Sequence, residues 1–140
     1  MIELVETPID LHVLYERVRK DAFGAVVVFV GVVRSRSDDD RAVTGLSYEA
    51  YRDLAVGEME IIAAEVRARF NPCEIAMQHR TGELQIGEPS VAVAVGTAHR
   101  AQAFEACRYA IDELKKRVPI WKKEHYASGE TQWRENCAEG

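Results

Sequence analysis

At 140 residues the chain has the length of one domain, and a domain of this size buries roughly two-thirds of the surface its unfolded form exposes. Its 47% hydrophobic and 29% charged residues are those of an ordinary globular protein, and no apolar run reaches the roughly 20 residues of a membrane helix. The net charge of −5 opposes general binding to nucleic acid, which needs Lys and Arg to replace phosphate counterions.

The N-terminal MIELVETP has no basic segment leading into an apolar one, so no export signal is expected. Ile2 to Val5 reads as a short strand. Thr7-Pro8 then offers a cap and a first-turn proline for a helix carrying Leu11, Leu14 and Val18. Gly24 breaks that pattern. The run AVVVFVGVV, Ala25 to Val33, is too apolar for a one-sided strand and is expected near the centre of a sheet, closed by Arg34. SRSDDDRA is charged and aperiodic, the mark of a mobile surface loop, and its expected role is that of a flexible cover.

Val43 to Tyr51 resumes as a strand. Ala55, Met59, Ile62, Ala63, Val66 and Phe70 keep the rhythm of an amphipathic helix that Asn71-Pro72 ends. Glu74 to His79 is a strand, Thr81-Gly82 and Gly87-Glu88-Pro89 are turns, and Val91 to Thr97 is another strand. Ala101 to Val118 is a second long helix, stopped by Pro119. Ile120 to Tyr126 and Thr131 to Trp133 form two short strands joined across Ser128-Gly129. Strands follow strands without an intervening helix. The class is therefore α+β, with three helices and a mixed, mainly antiparallel sheet, in a single domain over residues 1–140.

Cys73, Cys107 and Cys137 are odd in number and widely spaced, with no CxxC pair and no neighbouring His at metal-ligand spacing. A reducing, cytoplasmic setting is expected, with no metal and no cofactor. Cys107 falls in the middle of the last helix's apolar arc, formed by Ala103, Phe104, Cys107, Ala110, Ile111, Leu114 and Val118, and reads as a buried hydrophobe.

Charge is unevenly spread. Seven basic and three acidic residues between His99 and Lys123 leave +4 there and −9 on the remainder, which suits a small anion. Lys115 lies at the edge of the apolar arc, open to two readings: a substrate ligand or acid/base group, or a lysine whose stem covers core. His99-Arg100 stands at the helix start, where unpaired N–H groups favour anions. Lys122 and Lys123 point to opposite faces of a strand, so only one can enter a given pocket without a bend. Arg34 is either a pocket residue or a plain surface arginine, and His79-Arg80 reads as a structural corner. No Ser-His-Asp ordering, Gly-rich phosphate loop or HExxH motif occurs.

Taken in order, FVGVVR (29–34), LSYEAY (46–51), HRTGELQIGE (79–88), AHRAQAFEAC (98–107) and DELKKRVPIWKKE (112–124) resemble the large, catalytic subunits of molybdopterin synthases. The resemblance implies an α/β hammerhead fold and sulfurtransferase activity that puts two sulfurs into cyclic pyranopterin monophosphate to make the molybdopterin dithiolene. It also implies a small ubiquitin-like carrier whose C-terminal Gly-Gly thiocarboxylate supplies the sulfur, and a heterotetramer built on a homodimer of large subunits. Carried over by position, it implies substrate contacts at Val32, Val33, Arg34, His99, Arg100, Lys115, Lys122, Lys123 and Glu124, with Lys115 and Lys122 catalytic. The tail ENCAEG has no basic residue after Arg134, so no contact with substrate or carrier is assigned to it. The basic cluster taken alone also allows a non-catalytic module that binds a phosphorylated metabolite, or a scaffold that only docks the carrier.

Overall fold

Two four-stranded sheets and three helices make up the computed structural model, which describes residues 1–135. In chain order these are β1 (Ile2–Val5), α1 (Leu11–Val18), β2 (Ala25–Val32), β3 (Val43–Ala50), α2 (Arg52–Arg69) and β4 (Cys73–Arg80). Then come β5 (Gly82–Gln85), β6 (Pro89–Thr97), α3 (Arg100–Arg117), β7 (Ile120–Tyr126) and β8 (Thr131–Glu135). The first sheet runs β1-β4-β6-β2 and the second β5-β3-β7-β8. Among the described residues only β1 and β4 pair in parallel. The α+β class and mainly antiparallel pairing hold, but there are two sheets where one was expected. Cys137 and the rest of the tail beyond Glu135 lie outside the described residues.

The first sheet is covered on both faces, which its alternating side chains make possible. Small residues, Ala76, Ala92 and Ala94, face α1 and form a minor core with Leu14 and Val18. Larger ones, Ile75, Met77, Val91, Val93 and Val95, face α2 and α3 in the main core. Gly96 is part of the same fit, because a Cβ there would stand 2.1 Å from the Val18 carbonyl oxygen at the end of α1.

Several expectations shift. The Ala25 to Val33 strand lies at a sheet edge, not the centre: β2 has β6 on one side only, and Phe29 and Val32 remain exposed. Its apolar run reflects cover on both faces, with Val27 against the main core and Val26 and Val28 against the α1 core. Face cover and strand neighbours are separate properties. α1 begins at Leu11, capped by the Asp10 carboxylate, which accepts from the backbone N–H of His12 (3.0 Å) and Val13 (3.3 Å), so Thr7-Pro8 precedes the helix. β5 is a strand that the sequence does not announce between the Thr81-Gly82 and Gly87-Glu88-Pro89 turns, because only Leu84 of its four residues is buried, too few for a period to register. On α3 the buried set is Ala103, Ala106, Cys107, Ala110 and Leu114, while Phe104 is 61% exposed. Small residues let α3 lie flat on β2 and β6, which leaves Phe104 on the flank.

Residues 35–41 form a tied hairpin, not the open loop that their charge suggested. Ser37 N–H donates to the Arg41 carbonyl at 2.9 Å, and Asp40 N–H donates to the Ser37 carbonyl at 2.9 Å. Arg36 and Ala42 form an antiparallel bridge, and the buried Ser37 hydroxyl donates to the Asp39 carboxylate.

Candidate active site

Residues of both sheets and Lys115 of α3 line a hollow of about 470 Å³ beside the end of β2. That volume is in the range of small-molecule sites. Its apolar wall comes from Phe29, Val32, Leu46 and Tyr48. Its cations are Arg34 and Arg36 from the β2–β3 connection, Lys115 from α3, Lys122 from β7 and Arg134 from β8. Asp38, Glu124 and Glu135 are its acids. Positive groups from four separate segments therefore meet at one place.

Each cation is set by local structure. Lys122 and Glu124, two apart on β7, share the face that lines the hollow, while Lys123 turns away and stands 5.6 Å over the Trp133 ring. Arg34 Nη2 pairs with Asp38 at 2.5 Å, an exposed contact that an incoming anion can replace. Arg117 leaves the site entirely to pair with Glu58 and Glu65 of α2 and Glu113 of α3.

Beneath these groups lies a buried polar layer. The Glu124 carboxylate accepts from the Tyr126 hydroxyl at 3.0 Å, and Arg134 Nε lies 2.5 Å from it as an ion pair, its N–H not aimed along that line. Burial pushes the Tyr48 phenol up, opposed by a hydrogen bond with Ser90 and reinforced by the charge of Glu124. Burial likewise drives Cys107 up to about 11 while its thiol donates to the Val93 carbonyl, so it is no nucleophile. Among the described residues no three His, Cys, Asp or Glu gather to hold a metal.

The family model described as MoaE protein matches residues 4–117. The chain belongs to the MoaE protein family. It is 42% identical over 132 residues to the molybdopterin synthase catalytic subunit of Thermoplasma volcanium, covering 94% of this chain and 96% of that one. The Bacillus subtilis molybdopterin synthase catalytic subunit is also 42% identical, over 131 residues, covering 94% and 82%. Among solved structures, the molybdopterin synthase of Staphylococcus aureus superposes with a TM-score of 0.90 at 35% identity, covering 95% of this chain and 96% of that one. A complex of subunits 1 and 2 of molybdopterin-converting factor from Helicobacter pylori superposes with a TM-score of 0.74 at 25% identity, covering 94% and 88%.

In this MoaE chain the predicted residues divide into groups. Val32, Arg34, Lys115, Lys122 and Glu124 line one hollow. Lys123 does not, and Val33 is buried in the main core with its backbone bonded to Gly87 and Glu88. Glu124 faces the hollow, but its carboxylate is engaged by Tyr126 and Arg134. His99, the exposed N-cap of α3, and Arg100 stand 16 and 15 positions before Lys115, about 24 Å away along a helix rising about 1.5 Å per residue. One protomer cannot bring these two and Lys115 to the same small molecule. Tyr48, Ser90, Arg36 and Arg134 were missed. For Tyr48 the signal was present, since Leu46 and Tyr48 alternate with polar Ser47 and Glu49 on β3.

Proposed function

We infer that this chain is the catalytic subunit of a molybdopterin synthase, a sulfurtransferase acting on cyclic pyranopterin monophosphate with a small thiocarboxylated carrier as sulfur donor. The observation that carries this reading is the convergence of Arg34, Lys115 and Lys122 on one small, partly apolar hollow in a chain of the MoaE family. Both reactants are anionic, one a phosphate ester and the other a thiocarboxylate. A unit charge pair at about 4 Å gains roughly 1 kcal/mol in bulk water and about 4 at an effective dielectric near 20, so a sheltered cluster holds them far better than scattered lysines.

Arg34 suits the phosphate, whose oxygens match a two-pronged guanidinium. Lys115 positions the carrier's terminal thiocarboxylate and moves a proton during attack. Lys122 steadies the negative charge that develops. In each transfer the thiocarboxylate sulfur bonds to a substrate carbon as that carbon's oxygen departs, as the opened phosphate ester at one carbon and as water at the other, and water then cleaves the acyl–sulfur bond, so that the sulfur stays on the product as a thiol and the carrier leaves as a carboxylate. The carrier partner is supported by the solved complex of the two converting-factor subunits from Helicobacter pylori. His99 and Arg100 join this site only from a second copy, which fits a homodimer within a heterotetramer.

The test is reconstitution from this chain, thiocarboxylated carrier and cyclic pyranopterin monophosphate, following dithiolene formation. Lys115→Ala is expected to abolish turnover while substrate still binds. Substrate binding with no turnover by the unaltered chain would instead identify a binding module, and carrier binding alone would identify a scaffold.

A further inference from the structure

His79 is the one fully buried imidazole among the described residues, and no step above uses it. It sits near the end of β4, paired in register with Leu4 of β1 and Val91 of β6. Its Nδ1 lies 2.7 Å from the Arg80 carbonyl oxygen. A carbonyl only accepts, so Nδ1 carries the hydrogen and a neutral ring has Nε2 as an acceptor. The Tyr48 ring, itself a wall of the hollow, meets the imidazole edge-on at 5.0 Å between centroids and 75°. Lys115 of α3 lines the same hollow as Tyr48, and its charge acts on the ring. The Arg80 guanidinium is directed elsewhere, to Glu88 at 2.8 Å and the Glu6 carbonyl at 3.1 Å.

The geometry points to His79 as a positioning residue for Lys115: its Nε2 lone pair takes one ammonium hydrogen and aims the remaining two into the hollow. This rests on the sulfurtransferase reading, in which Lys115 is the acting group. Burial, opposed by the Arg80 hydrogen bond and helped by the Lys115 charge, drives the imidazole down to about 4, so it remains a neutral acceptor across the working pH range. The groups facing it are Lys115 from α3 and Tyr48 from β3; its register partners on β1 and β6 are apolar. The HRTGELQIGE stretch thus contributes two distinct things: Arg80 ties the corner, and His79 reaches the site from below.

His79→Phe fills the space without an acceptor, and His79→Gln restores one, since its amide N–H can donate to the Arg80 carbonyl while its oxygen accepts. Acylation of Lys115 against pH, read by mass spectrometry, needs no turnover. In folded His79→Phe the ammonium loses an acceptor, so its pKa falls and labelling at pH 8 rises about threefold or more. In the reconstituted assay kcat falls about tenfold with KM within about twofold, because aim is lost and affinity is not. His79→Gln returns both readings toward the unaltered protein. As a check that leaves His79 in place, Lys115→Met is expected to raise the His79 titration midpoint followed by nitrogen NMR. An unchanged Lys115 labelling profile in folded His79→Phe, or an unchanged His79 titration in Lys115→Met, would overturn the proposal. Absence of turnover by the unaltered chain would overturn the sulfurtransferase assignment instead.

Discussion

The Arg134 guanidinium joins two walls of the hollow, with Nε 2.5 Å from the Glu124 carboxylate on β7 and Nη2 3.3 Å from Asp39 in the 35–41 hairpin. Glu124 is buried, so loss of one partner strands a charge. Glu124→Ala is expected to lower stability by about 2 kcal/mol in urea unfolding, below the cost of a fully buried pair because Arg134 keeps some access to water. It should also raise KM more than it lowers kcat, since the hairpin carries Arg36 and Asp38. Stability unchanged within about 0.5 kcal/mol would remove the clamp from the account.

Neighbouring lysines on β7 should behave very differently. Lys122 faces the hollow and Lys123 stands over Trp133. Lys122→Ala is expected to reduce kcat/KM at least about tenfold, and Lys123→Ala by about twofold or less. Equal losses from the two would contradict the strand register.

Acid should destabilise the fold in two stages. His79 is held at about 4, below its ordinary 6.5, so the unfolded chain takes up this proton more readily. Its contribution, about 3 kcal/mol, is complete above pH 6.5 and is lost as pH falls toward 4. Glu65, held by Arg117 and Tyr109, drops from 4.5 to about 2, so its contribution is present above pH 4.5 and is lost between there and pH 2. Urea midpoints measured from pH 7.5 to 3 should decline through the first window. His79→Gln should flatten that first decline and leave the second.

Thiol chemistry should be quiet in the described residues. Burial raises both Cys73 and Cys107, and Cys107→Ala is expected to retain most of the reconstituted turnover. Iodoacetamide at pH 8 should leave both unmodified in the folded protein. Rapid labelling of Cys107 would mean that α3 lifts from the first sheet.

Separation along α3 yields a mixing experiment. Dimers reassorted from equal amounts of a His99→Ala/Arg100→Ala chain and a Lys115→Ala chain should recover about a quarter of normal sites, because half the dimers are mixed and each of these has one intact site. A mixture as inactive as its two parents would return all the acting groups to one chain.

Much of this was legible in sequence because periodicity is local. Both long helices, the Asn71-Pro72 and Pro119 stops, and the Lys122/Lys123 alternation follow from spacing alone. The hollow was legible chiefly through resemblance, since Arg34, Lys115 and Lys122 share no local pattern. What escaped was set by tertiary placement. The β2 run reported covered faces but not its edge position, Phe104 shared the composition of a buried face without lying on it, and Arg134 gained meaning only when β8 folded beside Glu124. His79 reads as part of a corner because the charge that acts on it comes from Lys115 on α3, 36 positions away.

The most direct test is a crystal structure of the assembled protein soaked with cyclic pyranopterin monophosphate. The phosphate should bind Arg34 or Lys122, with the pterin side-chain carbons turned toward Lys115. Ordered substrate elsewhere on the surface, with the β2–α3–β7 hollow holding only solvent, would contradict the account.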